Sequence, residues 1–181
     1  MIIQTDVIQT INFSIMYGAG PRNISGQLDI SFNEAKDLID QYFQKFPQIK
    51  TYKEKAIAYT QKNGYTKTLY DRIRPIPEIN SRTPQLRSQA ERMATNTPIQ
   101  GTAADIMKLA MIKTLQDITD NKLNVKIISQ VHDELIFEVP NNQIKKATKI
   151  FKDSMENIAK LSVPLKVDIE TGPNWGELKK I

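Results

Sequence analysis

"SQVHDELIFEV", residues 129 to 139, sets His132, Asp133 and Glu134 side by side between two apolar runs, "VKIIS" before them and "LIFEV" after. The longer runs "KLNVKIISQ" and "ELIFEVP" have the length and β-branched content of strands, and so short a link lets them pair only as an antiparallel hairpin. The hairpin tip then carries two adjacent carboxylates and the only histidine of the chain.

The segments around this hairpin read as helices. Downstream, Ile144, Ala147, Phe151, Met155 and Ile158 predict a helix over roughly 141 to 159, and "VPLKVDIE" alternates as a closing strand. Upstream, "NTPIQGTAADIMKLAMIKTL" predicts a long central helix, with Thr97 as its cap, Pro98 in its first turn and an apolar stripe through Ile99, Ala103, Ile106, Met107 and Ala110. A separate helix is expected from 84 to 95. The proline-containing "TLYDRIRPIPEI" cannot be a central strand and reads as a short hairpin or irregular ribbon. "SFNE" at 31 to 34 is a capping box, after which Ala35, Leu38, Ile39, Tyr42, Phe43 and Phe46 keep a helical period up to Pro47. A further helix is expected from about 48 to 62, ended by Asn63-Gly64. The first helix runs over 5 to 17, with Ile8, Ile11, Asn12 and Ile15 on one face and Thr5, Gln9, Phe13 and Tyr17 on the next, until Gly18, Gly20 and Pro21 stop it. The fold class is α+β, mostly helical, with a small antiparallel sheet in the C-terminal half.

Composition narrows the chemistry. The 181 residues, 40% hydrophobic and 25% charged, suffice for one ordinary domain with its own core. Twenty-five Lys and Arg against 20 Asp and Glu give a net charge of +5, which permits a polyanionic partner without requiring one. The absence of cysteine excludes disulfides and thiolate metal sites, and a single histidine leaves no set for zinc. No basic leader and no run of about 18 apolar residues is present, so the expectation is a soluble, intracellular protein without a membrane partner.

The polar residues admit two readings each. Asp133 and Glu134 suit a hard cation such as Mg²⁺, which takes one or two carboxylates beside water and phosphate; equally, Asp is a good turn residue and Glu a solvated edge charge. Phe13 and Tyr17, one turn apart with Asn12 beside them, form a flat aromatic surface that can support a nucleobase, or simply core packing. Arg72, Arg74, Arg82, Arg87 and Arg92 suit phosphates, or a solvated face.

"INFSIMYG" at 11 to 18, "ERMATNTPIQGTAADIMKLAM" at 91 to 111 and "QVHDEL" at 130 to 135 resemble, in this order and spacing, the C-terminal part of the polymerase domain of family A DNA polymerases, the bacterial DNA polymerase I type. "YFQKFP", "GYTKTL", "VPLKV" and "NWGE" are similar as well. The resemblance implies a fingers segment over about 1 to 80 and the C-terminal half of a palm over about 81 to 181. It implies that Asp133 binds catalytic Mg²⁺ with Glu134 beside it, that His132 contacts the primer terminus, and that Phe13 and Tyr17 meet the incoming nucleotide and the template. Arg92, Asn96 and Gln100 match positions contacting template and primer. The implied partners are primer-template DNA and dNTP, and the implied location is the cytoplasm, at the nucleoid.

Two departures bear on activity. The family's fingers helix carries an Arg and a Lys for the triphosphate where this chain has Thr5 and Gln9. The family's motif A, with its own metal-binding Asp, lies upstream of the matched region, and neither a thumb nor an exonuclease domain is accommodated. The expectation is a polymerase fragment inactive alone, either a split-gene product completed by an N-terminal fragment carrying motif A and the thumb or part of the sequence of a longer polymerase. The alternative is a non-catalytic DNA-binding remnant.

Overall fold

The computed structural model describes residues 12 to 181. Of the expected first helix, residues 12 to 16 are described and helical; Thr5, Asp6, Ile8, Gln9 and Ile11 lie outside the described residues. A helix not anticipated from the sequence follows, α1 (Pro21–Leu28), with proline in its first turn where a missing N–H costs nothing. The capping box then forms as expected at the start of α2 (Phe32–Lys45): the Glu34 N–H donates to the Ser31 hydroxyl at 3.2 Å and the Ser31 N–H donates to the Glu34 carboxylate at 2.9 Å. Pro47 opens α3 (Pro47–Asn63), which ends at Gly64. A short antiparallel hairpin, β1 (Tyr65–Lys67) with β2 (Ile73–Pro75), and a 3₁₀ turn at Pro77–Asn80 lead into α4 (Pro84–Asp120).

The 37 residues of α4 form one helix, where the sequence predicted two. Pro98 has no N–H to offer the Ala94 carbonyl, which ordinarily breaks a helix, and Thr97 was expected to cap the second segment. Instead the Thr66 hydroxyl takes the Ala94 carbonyl, the Tyr52 hydroxyl donates to the Thr95 carbonyl at 2.8 Å, and Thr97 lies within the helix accepting from Arg74 Nη1 at 3.1 Å. The β1–β2 loop lies so close to α4 that a Cβ at Gly101 would stand 2.6 Å from Thr68 Cγ2. Arg72 Nη2 donates to the Gly101 carbonyl at 2.9 Å and the Leu69 N–H to the Thr102 hydroxyl at 2.9 Å, fastening that loop.

The chain divides into two compact units, one through Thr102 and one from Ala103, and α4 contributes to both. Among the described residues the first has apolar clusters around Ile15, Ile24 and Ala35 and around Ile76, Ile79, Ala90 and Ala94. In the second, β3 (Lys126–Val131) and β4 (Glu134–Glu138) form the expected antiparallel hairpin, with a bulge between Ile127 and Ser129. A 3₁₀ turn at Asn141–Gln143 precedes α5 (Ile144–Glu156), whose Ala147 and Phe151 join Ile118, Leu123 and Val125 in the core. The Phe151 ring stacks on Phe137 at 4.5 Å.

"VPLKVDIE" is not the expected closing strand. Alternation supplies a strand's side-chain pattern, but a strand needs a partner for its backbone. Among the described residues the segment's end alone finds backbone partners: the Ile169 carbonyl accepts the Ile181 N–H at 3.1 Å, and β5 (Glu170–Thr171) pairs with β6 (Lys179–Lys180). The small sheet is therefore three separate two-stranded ladders among the described residues. No helix among them is long and apolar enough to cross a membrane.

Candidate nucleic-acid interface

The last turn of the first helix presents Phe13 and Tyr17 outward, 58% and 45% exposed, with ring centroids 6.3 Å apart and planes within 17°. Two large rings left in solvent and held parallel present a flat face to solvent and are not core. Of the two readings open in the sequence, core packing is therefore not the one adopted. The helix bearing them is tied at several points: the Tyr42 hydroxyl donates to Asn12 Oδ1, the Ser14 hydroxyl to Gln27 Oε1 at 2.8 Å, and Lys53 Nζ to the Ile15 carbonyl at 3.3 Å. None of these ties was legible in the sequence, because each joins residues 13 or more positions apart.

Phe13 and Tyr17 stand between two hollows. One, of about 330 Å³, is mainly apolar, with Met16, Ile49, Asn96 and Ile99 among its walls. The other, of about 510 Å³ and more polar, is bounded by Gly18, Gly20, Asn23, Gln27 and Arg92. Arg92, Asn96 and Gln100 follow one another at intervals of four along α4 and so share one face. The structure thus brings Phe13, Tyr17, Arg92 and Asn96 to one place, while Gln100 lines neither hollow and is exposed further along. Arg92 is exposed, its Nη1 donating to the Ser88 hydroxyl at 3.1 Å. Arg72 and Arg74, read from sequence as cations for phosphate or for a solvated face, spend part of their donors on Gly101 and Thr97.

In the second unit, the pairing of Val131 with Glu134 leaves His132 and Asp133 as a two-residue loop. His132 adopts φ +51°, a conformation that L residues rarely take and that primed hairpin turns demand. Gln130 Nε2 donates to its carbonyl at 2.5 Å, holding the turn. His132, Asp133 and Glu134 are all exposed. Among the described residues no three His, Cys, Asp or Glu side chains gather as a metal set. Asp133 and Glu134 alone therefore do not fit a fixed Mg²⁺, which needs converging charge to give up its water.

The model of DNA polymerase family A matches residues 4–177. DNA polymerase I of Caldicellulosiruptor bescii is 44% identical over 94% of this chain and 20% of its own length. DNA polymerase I of Bacillus subtilis is 43% identical over 94% of the chain and 19% of its length. Among solved structures, the POL domain of Pol1 from M. smegmatis, in complex with DNA primer-template and dNTP, superimposes with a TM-score of 0.86 at 39% identity, covering 89% of this chain and 28% of that one. The chain spans about a fifth of the length of the curated relatives it matches. With the motifs at 11 to 18, 91 to 111 and 130 to 135 inside the matched range, the chain belongs to the family A DNA polymerases.

Proposed function

We propose that this chain supplies the fingers, over about residues 1 to 80, and the C-terminal half of the palm, over about 81 to 181, of a template-directed DNA polymerase working with primer-template DNA and dNTP at the nucleoid. The observation that carries the reading is the exposed, parallel Phe13–Tyr17 pair with Arg92 and Asn96 at the walls beside it. A flat aromatic surface supports a base pair whatever its sequence, and the guanidinium of Arg92 meets phosphate. Asn96 and Gln100 add neutral donors and acceptors along the same face for template and primer, and His132 supports the primer terminus from the hairpin tip.

Asp133, with Glu134 beside it, contributes part of a carboxylate set for Mg²⁺. The remainder would come from an N-terminal fragment carrying motif A and the thumb. Template-directed phosphoryl transfer places most of its demand on positioning and on neutralising developing charge, and both depend on that set being complete.

The test is primer extension by the purified chain, alone and mixed with a family A fragment that carries motif A and the thumb. Extension is expected only in the mixture and is lost with Tyr17→Ala or Asp133→Asn. A mixture that binds primer-template without extending it would overturn the catalytic role and leave a DNA-binding remnant.

A further inference from the structure

Lys53 is half-buried on α3, and neither the stacking surface nor the DNA face requires a cation there. Its ammonium donates to the Ile15 carbonyl at 3.3 Å and stands 5.7 Å from the centre of the Phe43 ring. Burial pushes its pKa down, because the charged form has given up water. The carbonyl and the ring face return part of that solvation. The Ile15 carbonyl also accepts the Gly18 N–H at 3.0 Å, so it closes the last turn of the helix that carries Phe13 and Tyr17. A helix C-terminus gathers partial negative charge on such carbonyls, and a cation against it is favourable.

The residue just beyond this turn is confined as well. Gly18 has φ +85°, and a Cβ there would stand 3.0 Å from Arg92 Cγ and 3.9 Å from Lys53 Nζ. Lys53 from α3 and Arg92 from α4 therefore bracket the glycine that follows Tyr17. A lysine placed only to fill space would be replaced without loss by methionine. One placed against a carbonyl would not.

We infer that Lys53 is a positioning residue for the aromatic surface: by holding the Ile15 carbonyl it fixes the final helical turn and with it the direction of the Tyr17 ring. The tether stands on its own geometry, while its consequence for nucleotide addition rests on the polymerase reading above.

The test uses Lys53→Met, Lys53→Gln and Lys53→Arg in the full chain, read first by amide hydrogen exchange at Tyr17, Gly18 and Ala19. Loss of a cation at a helix terminus predicts about a three- to tenfold rise in exchange for Met and Gln, and recovery with Arg. A folded Met or Gln variant with unchanged protection overturns the tether. In the complemented extension reaction, the same two variants should raise the KM for dNTP about threefold or more with kcat nearly unchanged, and Arg should restore it. Looser amides with an unaltered KM would overturn the link to Tyr17. If the mixture fails to extend at all, the polymerase reading has failed, and exchange alone still decides the tether.

Discussion

The Thr66 hydroxyl donates to the Ala94 carbonyl at 3.3 Å, and Ala94 is the residue whose carbonyl Pro98 deprives of its helical partner. Thr66 is 2% exposed, so no water replaces it. Thr66→Val should therefore destabilise the chain by about 1 to 3 kcal/mol, the range for leaving a buried carbonyl unsatisfied. Pro98→Ala restores an N–H at that point, and in its presence Thr66→Val should do much less. Urea unfolding of the four proteins gives the coupling, and equal losses in both backgrounds would refute the relationship.

Gly101 is required for contact rather than for backbone freedom. Gly101→Ala drives a methyl into Thr68 Cγ2, and that side chain is held because its hydroxyl accepts from the N–H groups of Tyr70 and Arg72 at 3.3 and 3.2 Å. The expected loss is about 1 to 3 kcal/mol. Thr68→Ser removes the obstructing methyl while keeping the hydroxyl, so the double variant should regain most of the melting temperature. No recovery would place the strain elsewhere.

Asp117, 8% exposed, receives hydrogen bonds from Lys113 on its own helix and from Ser154 on α5. Burial pushes its carboxyl up, but these two hydrogen bonds and the Lys113 charge outweigh burial and hold it below the usual carboxylate range. A depressed folded value means that the stabilisation is present above the unfolded value of about 3.9 and is lost as pH falls through the lower folded value. Asp117→Asn should lower the melting temperature at neutral pH and narrow its gap to wild type below about pH 4. Curves that remain parallel down to about pH 2 would count against this role.

Arg92 stands exposed beside the stacking surface, and phosphate contacts by such cations release counterions. The chain should bind primer-template DNA weakly, with little sequence preference. Arg92→Ala should weaken binding across sequences and reduce the slope of log K against log salt by roughly 1. An unchanged slope would remove Arg92 from the DNA face.

At the hairpin tip, adjacent exposed carboxylates repel each other, and among the described residues no salt bridge involves them. Asn serves such turns as well as Asp, so Asp133→Asn should leave the melting temperature unchanged or slightly higher. The same change should abolish extension by the complemented mixture. The unmixed chain should show none, since losing one preorganised electrostatic group typically costs about 10²- to 10³-fold in rate. A clearly destabilised Asp133→Asn that still supports extension would make the tip architecture instead of chemistry.

Local rules sufficed where a segment's own residues satisfy its backbone. Ser31 and Glu34 cap α2 with bonds three residues apart, Gly64 ends α3, and the runs around His132 and Asp133 pair with each other across a two-residue turn. The motifs that mark the family were legible because each is a short contiguous stretch of sequence. Tertiary structure decided the rest through side chains distant in sequence. Pro98 is a local signal to stop a helix, and it was overruled by hydroxyls from Thr66 and Tyr52, 28 and 43 residues away from the carbonyls they take. "VPLKVDIE" has a strand's alternation, yet a ladder forms only where Lys179–Lys180 supplies a second backbone. Phe13 and Tyr17 sit at a spacing that fits core or surface alike, and the folded chain leaves them exposed while α1 and α2 cover Ile15 on the neighbouring face. Hydrophobic period and capping are written within a dozen residues, whereas the partner that satisfies a stranded carbonyl or leaves a ring in water is chosen by the folded chain as a whole.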